Sequence, residues 1–528
     1  MKKSLNYIFL TCISAFFTGI FFPPIKSSYF MFITLIPFFS CINSVKNKKS
    51  AAFYGWLYGF ITAAISINWI FKNVGAESPI REISGFGLLV VLGIFYGIIS
   101  FVYKIIKDKW GNNAIWTLPL LFVFIDHLML YEELAFPWIT IANTMTYKLE
   151  FIQSAEIFGS FGITFIVVLF NVIIYKIIEE LFINGNKKRV IIYIFSIIII
   201  FLCNYFYGKS RLNSLNKEVF KEEKVAIIHA NLDPLYKWEG GNFNKIFEKQ
   251  MFLSDSISKF NPKLIIWGET NFPEYLESSK NYEYYQKFSN FAKDKGINML
   301  IGALGFEYID EKLHHYNSAF SFENDGNVLR YDKIKLVPFG EGIPYSKYFD
   351  FLKNISLGQG SFSRGSELVL FNLTNNIKYS VSICYEDIFP YLNADFAKKG
   401  ADFFANISND SWYENTNQIY QHSRFNIYRA IENRRSIIRL ANRAESSYIS
   451  PTGELKLLFD SNSSVGKEVS IKINDKKTFF TLYGKIISYI FIILVLVILF
   501  MPKFLINKIF ASKLLENKQN KKNNGCNI

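Results

Sequence analysis

Tyr379-Ser380-Val381-Ser382-Ile383-Cys384-Tyr385-Glu386-Asp387 reads as a short strand that ends on a cysteine, with two carboxylates directly behind it. Apolar and small residues alternate up to Ile383, the period of a strand whose side chains point to opposite faces. A thiol in that position sits at the mouth of a sheet, where open α/β sheets place their chemistry. The chain has 5 cysteines. Cys12, Cys41 and Cys203 lie in long apolar runs and Cys526 in a polar basic tail, so Cys384 has no disulfide partner in the segment around it. Unpaired cysteine is most often a small buried core residue, and its neighbours must decide whether Cys384 is more than that.

Composition narrows the class. Of 528 residues half are hydrophobic, 55 are Phe and 31 are Tyr, and mean hydropathy is positive. Disordered and disulfide-scaffold proteins are excluded, and membrane insertion is indicated. The net charge of +14 falls largely in short clusters beside apolar runs. With no zinc-finger spacing, base-reading basic helix or RNA-binding signature, nucleic acid is not an expected partner.

Eight apolar segments approach the ~20 residues needed to cross a bilayer core: 5–22, 29–45, 51–71, 84–103, 112–130, 158–181, 190–207 and 484–502. Lys2, Lys3, Lys46, Lys48, Lys49, Lys104, Lys107, Lys109, Lys176, Lys187, Lys188, Arg189 and the lysines from Lys503 onward fall on one side of that arrangement. The opposite short loops hold Lys26, Lys72, Arg81 and Lys148. The asymmetry places both termini in the cytoplasm. Residues 1–210 are then a membrane domain of seven transmembrane helices, 480–505 an eighth, 506–528 a basic cytoplasmic tail, and 220–476 an extracytoplasmic domain. The first segment lacks a small-x-small cleavage site and is read as a retained span. Phe136-Pro137-Trp138 and Phe158-Gly159-Ser160-Phe161-Gly162 are read as interfacial anchors. Asp126, His127 and Glu156 lie at or near span ends and are not read as an intramembrane proton path.

From Lys224 to Lys476 the pattern changes. Val225–Ile228, Leu264–Trp267, Met299–Gly302, Tyr379–Ile383 and Asp402–Ala405 have strand character, and Asn242–Phe260, Tyr282–Lys295 and Ser423–Arg435 have helical periodicity. Alternation on that scale predicts one α/β domain with its own core. Glu269 and Cys384 each follow an apolar run, so a parallel sheet would bring both to one edge. A carboxylate beside a thiol can take its proton, and the ammonium of Lys333 or Lys335 would favour the thiolate and bind a developing oxyanion. Glu341, eight residues after Lys333, could hold that ammonium in place. Each also has an ordinary reading, as a solvated rim carboxylate or a surface lysine. Other chemistries fit less well. His314 and His315 would point to opposite faces of a strand with no metal-ligand cluster beside them. The run Gly360–Gly365 is one residue too long for Gly-x-Ser-x-Gly, and no phosphate-cradling loop is present.

Trp267-Gly268-Glu269, Tyr331-Asp332-Lys333, Leu336-Val337-Pro338-Phe339-Gly340-Glu341, Ser361-Phe362-Ser363-Arg364-Gly365, Ile383-Cys384-Tyr385-Glu386 and Ile407-Ser408-Asn409-Asp410-Ser411-Trp412 together resemble the nitrilase (carbon–nitrogen hydrolase) superfamily. With seven spans before the domain and one after, the whole chain resembles the apolipoprotein N-acyltransferase family within it. The resemblance implies a polytopic helical membrane bundle carrying an extracytoplasmic nitrilase-like α-β-β-α sandwich. It implies Glu269 as general base, Lys333 as oxyanion-stabilising cation and Cys384 as nucleophile. Glu341 would support the lysine, Tyr385 and Glu386 would flank the nucleophile, and Trp238 would match a functional tryptophan in a loop. Two positions depart from the family pattern: Gly268 stands where proline is usual, and Ala444 where a glycine follows Asn442 by two residues.

The reaction implied is a ping-pong transfer. An acyl chain passes from a phospholipid to Cys384 as a thioester, then to the α-amine of a diacylglyceryl-cysteine at an apolipoprotein N-terminus. It needs no metal or organic cofactor. The setting implied is the bacterial cytoplasmic (inner) membrane, with the protein a monomer. The alternative is a membrane-tethered amidase that gives the acyl group to water, and a third reading is a non-catalytic lipid-binding scaffold.

Overall fold

Short runs rich in Ile, Val and Phe that are apolar at every position belong to strands buried on both faces, and the computed structural model places them so. It describes residues 2–502 apart from 132, 240, 347, 349–360, 375 and 460–463. The expected tail, 506–528, lies outside the described residues, as do Cys526 and Gly360.

Among the described residues thirteen strands form two sheets: β1 Lys221–His229, β2 Leu264–Trp267, β3 Phe272–Tyr275, β4 Asn298–Ile309, β5 Lys312–Phe322, β6 Val328–Asp332, β7 Phe371–Thr374, β8 Ile377–Ile383, β9 Phe403–Asn409, β10 Ser436–Asn442, β11 Ser446–Ile449, β12 Leu455–Phe459 and β13 Val465–Ile473. The first sheet runs β13-β1-β2-β4-β5-β6 with β3 beside β4, the second β12-β11-β10-β9-β8-β7. β1, β2 and β4 are mutually parallel, as are β8, β9 and β10. Register follows the pleat. Val225, Ile227 and Ile266 turn inward to the cluster shared with Val381, Ile383 and Ile407. Ala226, Ile228, Ile265 and Trp267 turn outward to Phe247 and Phe288. Those two rings sit on the helices Phe243–Ser258 and Tyr282–Lys295, and the second sheet is covered by Pro390–Lys399 and Gln418–Asn433. The result is an α-β-β-α sandwich. Each fully buried side chain contributes about 1.5–3 kcal/mol, so a one-residue slip of β1, which swaps the two faces, is strongly disfavoured.

All eight expected apolar segments carry helix. Among the described residues, five stretches are long and apolar enough to cross a membrane: Lys3–Ile20, Ile80–Leu128, Ala155–Asn184, Lys187–Lys217 and Phe479–Phe500. The difference from eight has local causes. Segment 29–45 divides into a 3-10 turn, Ser28–Phe32, and a nine-residue helix, Ile36–Ser44. Segment 51–71 falls within the helix Lys48–Ser66, with lysines in its first turn, and the short Asn68–Lys72. Segment 84–103 lies in the helix Ile80–Trp110, which ends at Gly111 (φ +59°), and segment 112–130 divides into the 3-10 stretch Gly111–Thr117 and the short helix Leu118–Leu128.

The sandwich rests on this bundle through Pro390–Lys399 and Gln418–Asn433, and one apolar cluster runs from Phe161 and Val167 to Phe425 and Ile431. Gln421 fastens the junction with all of its amide valences. It accepts from Trp69 Nε1 at 2.9 Å and Trp138 Nε1 at 2.7 Å, and donates to Ser66 O at 2.8 Å and Pro23 O at 3.1 Å. This corrects one expectation: Phe136 and Trp138 are buried and serve as the floor of the sandwich rather than as interfacial anchors. A tryptophan that can bury both its ring and its N–H bond gains more than one left at an interface.

Candidate active site

Three strands end at one place. β2 stops at Trp267, whose Nε1 donates to the buried Ser254 Oγ at 2.9 Å, and Glu269 follows two residues later. The missing proline does not leave this turn loose. A Cβ on Gly302 of β4 would stand 2.3 Å from Gly268 O, so the two backbones touch and only glycine fits at 302. β6 stops at Asp332, and the Lys333 N–H continues the ladder by donating to Asn317 O at 2.9 Å. β8 stops at Ile383, and Cys384 takes φ +52°. The left-handed region costs a non-glycine residue about 1–2 kcal/mol and turns this thiol out of the strand line.

Lys333 is fully buried. Its Nζ donates to Glu341 Oε1 at 2.7 Å and lies 3.5 Å from Glu269 Oε1. Burial alone would lower the lysine's pKa, but the Glu341 and Glu269 carboxylates outweigh it and hold the ammonium charged, above its usual range. Asn317 Nδ2 donates to both carboxylates, at 2.8 Å to Glu269 Oε1 and 3.0 Å to Glu341 Oε1. Glu341 Oε2 accepts the Val337 N–H at 2.9 Å. Glu269 Oε2 accepts the Asn409 N–H at 2.6 Å, at the end of β9. The next residue, Asp410, brings a carboxylate oxygen within 4.8 Å of Cys384 Sγ, so Glu269, Lys333, Glu341 and Cys384 share one site. The Cys384 thiol is pushed well above the ordinary range, first by burial and then by the Glu269 charge, with Lys333 opposing. At neutral pH it is a thiol that needs a base.

Glu386 and Tyr385 hold the edge. Buried Glu386 accepts from Ile334 N–H (2.6 Å), Lys335 N–H (3.0 Å), Tyr331 OH (2.8 Å) and Ile383 N–H (2.8 Å). It thereby clamps the chain just past Lys333 to the end of β8. Burial raises its pKa to about 7, against the pull of those donors and of Lys333. Tyr385 OH donates to Ala135 O at 2.7 Å, tying the residue beside the thiol to the bundle loop.

Behind the thiol lies a buried ion quartet that sequence reading missed. His422 Nδ1 is 2.8 Å from Asp410 Oδ1 and its Nε2 3.0 Å from Asp387 Oδ1. Arg439 Nη1 is 3.2 Å from Asp387 Oδ2, and Nη2 2.5 Å from Asp410 Oδ2. Burial would lower the His422 pKa, but Asp387 and Asp410 raise it to about 9. An imidazole facing a carboxylate at each nitrogen is held doubly protonated, so two cations and two anions balance. Cys384 Sγ, Asp410 and His422 lie within 4.8 Å of one another, but both imidazole nitrogens are already engaged, so the cluster closes as an ion network.

Trp238 is 45% exposed, and its loop reaches the site through the neighbouring residue. Lys237 is buried, with Nζ 3.1 Å from Glu269 O and 2.5 Å from Thr270 Oγ1. Burial lowers its pKa to about 7, with Glu269 opposing. At the other departure, the left-handed turn falls on Arg443 (φ +54°) rather than on Ala444. The Arg443 guanidinium is fastened to Asp233 at 2.7 Å and Glu414 at 3.1 Å.

Buried carboxylates, an ammonium and a strained thiol converge at strand ends in a sandwich of the carbon–nitrogen hydrolase fold, and comparison with known proteins agrees on that fold. The carbon–nitrogen hydrolase domain model matches residues 224–467, and the apolipoprotein N-acyltransferase N-terminal domain model matches 14–173. The apolipoprotein N-acyltransferase of Geobacter metallireducens is 26% identical over 450 residues, 84% of this chain and 85% of that one. That of Borreliella burgdorferi is 28% identical over 478 residues, 86% of each. Among solved structures, Saccharomyces cerevisiae Nit3 of the nitrilase superfamily aligns at TM-score 0.36 and 17% identity, covering 48% of this chain and 92% of its own. This chain belongs to the apolipoprotein N-acyltransferase family, and it is an acyltransferase.

Proposed function

We propose that the protein transfers an acyl chain from a membrane phospholipid to the α-amine of an N-terminal S-diacylglyceryl-cysteine on an apolipoprotein, by a ping-pong route through a Cys384 thioester. The observation that carries this reading is the division of labour around Lys333: its ammonium pairs most closely with Glu341 Oε1 at 2.7 Å, which leaves Glu269 available as base.

Glu269 takes the proton of the Cys384 thiol as sulfur attacks the ester carbonyl carbon. Lys333 holds the resulting oxyanion, a contribution of about 3–4 kcal/mol for one well-placed donor. Collapse breaks the carbon–oxygen bond, and Glu269 returns its proton to the departing lysophospholipid oxygen. The amine then attacks the thioester and gives up its proton to Glu269; the carbon–sulfur bond breaks, and the thiolate is reprotonated. Glu341 and Asn317 hold the ammonium and base in register, while Glu386 and Tyr385 fix the nucleophile's turn. Both substrates are lipid-anchored, so a site fastened to apolar helices meets them in two dimensions, which supplies part of the orientation. The same reading counts the divided segments 29–45, 51–71 and 112–130 with the five longer stretches as eight crossings of the bacterial inner membrane, with both termini in the cytoplasm and the sandwich outside. It also assigns Trp238, at the rim, to substrate contact.

The test is transfer in mixed micelles containing phospholipid and a diacylglyceryl-cysteinyl peptide. The wild type should add an amide-linked third chain, and Cys384→Ala, folded and inserted, should add none. Full activity in that variant would overturn the assignment.

A further inference from the structure

A second polar cleft, of about 370 Å³, opens between the long helix Lys187–Lys217 and the start of Phe479–Phe500. Glu156, Arg211, Glu218, Arg434, Lys476 and Lys477 line it, four cations against two carboxylates. Glu156 is shared: Arg434 Nε reaches its Oε2 at 2.8 Å and Arg211 Nε its Oε1 at 2.7 Å. Among the described residues the Arg211 Nη groups meet no acceptor. Lys476 pairs with Glu218, and Lys477 is exposed with no carboxylate within ion-pair distance among the described residues. The cleft therefore keeps an unbalanced positive charge, about +2 by count of the lining groups.

Its level is as informative as its charge. On Lys187–Lys217 the exposed apolar surface runs from Ile191 to Phe206, and Arg211 lies little more than one turn beyond. On the other helix Phe479 and Tyr483 are exposed at 51% and 46%, and Thr478 caps the N-terminus by accepting the Thr481 N–H at 3.0 Å. Lys477 and Lys476 thus precede Phe479 by two and three residues, just outside the apolar surface. Cations directly above an aromatic, lipid-facing rim meet the layer where phospholipid phosphates lie. The cleft is not the catalytic site. Arg434 precedes β10, whereas the reacting groups gather where β8 and β9 end, so the seven residues of β10 separate them by about 23 Å.

We infer that this cleft binds the phosphate of a phospholipid headgroup, seating a lipid between the two helices as a site distinct from the one that holds Cys384. The inference rests on the bilayer placement and is independent of the reaction proposed for the thiol.

The test uses the full chain in detergent, with a diether phosphatidylglycerol that offers no ester to cleave. Lipid retention is read by native mass spectrometry, with inorganic phosphate as a parallel probe. The wild type should retain one more lipid than Lys476→Glu/Lys477→Glu, with at least tenfold weaker binding in the variant. Glu218→Gln, which removes a competing carboxylate, should tighten retention severalfold. Equal lipid retention by all three proteins would overturn the proposal. So would a charge-dependent response to phosphate alone, which would make this a free-anion site.

Discussion

Lys333 Nζ lies 2.7 Å from Glu341 Oε1 and 3.5 Å from Glu269 Oε1, so the ammonium is held mainly by the second glutamate. In the mechanism proposed above, that 0.8 Å difference separates two roles that one carboxylate could not fill. A carboxylate locked to an ammonium is a poor base, and a base with no cation near it cannot share the site with an oxyanion.

The pairing predicts the behaviour of Glu341→Gln. With the closer carboxylate neutralised, the ammonium should move to Glu269 and lower its basicity. The expected result is a kcat about 100-fold lower, the scale of lost general-base catalysis, with KM little changed. Steady-state kinetics on the micellar assay decides this; an unchanged kcat would show that Glu341 plays no part in the division.

His422 makes a pH prediction. Its folded pKa of about 9 lies above the ordinary 6.5, so its stabilising contribution is complete below pH 6.5 and is lost as pH rises through 9. Over that window the effect reaches about 3 kcal/mol at most. Between pH 7 and 9, above the Glu386 transition at about 7, Lys237, held near 7 by burial, adds stability to wild type and variant alike as pH rises, so the His422 loss is read as a difference: His422→Gln should start below wild type, and the gap in melting temperature should close as pH rises. Parallel curves would mean that the imidazole is not the charged bridge between Asp387 and Asp410.

Tyr385→Phe should loosen the junction without touching the reacting groups. Removing the hydroxyl leaves Ala135 O, deep under the sandwich, without its 2.7 Å donor, at a cost of about 1–3 kcal/mol for a buried acceptor left unpaired. Thermal melts should register that loss, while cysteine alkylation kinetics at 25 °C should stay within twofold of wild type. A melting temperature equal to wild type would contradict the contact.

Much of the sandwich was legible because a buried strand writes itself as an apolar run. Ile265-Ile266-Trp267 and Tyr379–Ile383 were found that way, and Glu269 and Cys384 by following them. Asn317 was not, because it gives no local signal. It lies inside β5 with ordinary neighbours, and its link between Glu269 and Glu341 arises only when residues 48 and 24 positions away meet. The ion quartet left one overlooked hint, Arg439 inside the apolar run Ile437-Ile438-Arg439-Leu440. A charge at an inward strand position calls for a buried partner, although its identity depends on how β8, β9 and Gln418–Asn433 pack. Lys237 was passed over for Trp238 because the motif marks the tryptophan, while burial selected the lysine. The membrane half was legible in position more than in form: hydropathy located the segments but could not show that 29–45 is broken or that a 3-10 stretch, Gly111–Thr117, leaves 112–130 only the short helix Leu118–Leu128.

The most direct test of the account is peptide mass spectrometry of the purified protein, first incubated with phospholipid alone and then given a diacylglyceryl-cysteinyl peptide. The account predicts a fatty-acyl mass on the Cys384 peptide that disappears as the acceptor gains an amide-linked chain. An adduct that decays to free fatty acid with the acceptor unchanged, or no adduct on Cys384 while transfer proceeds, would contradict it.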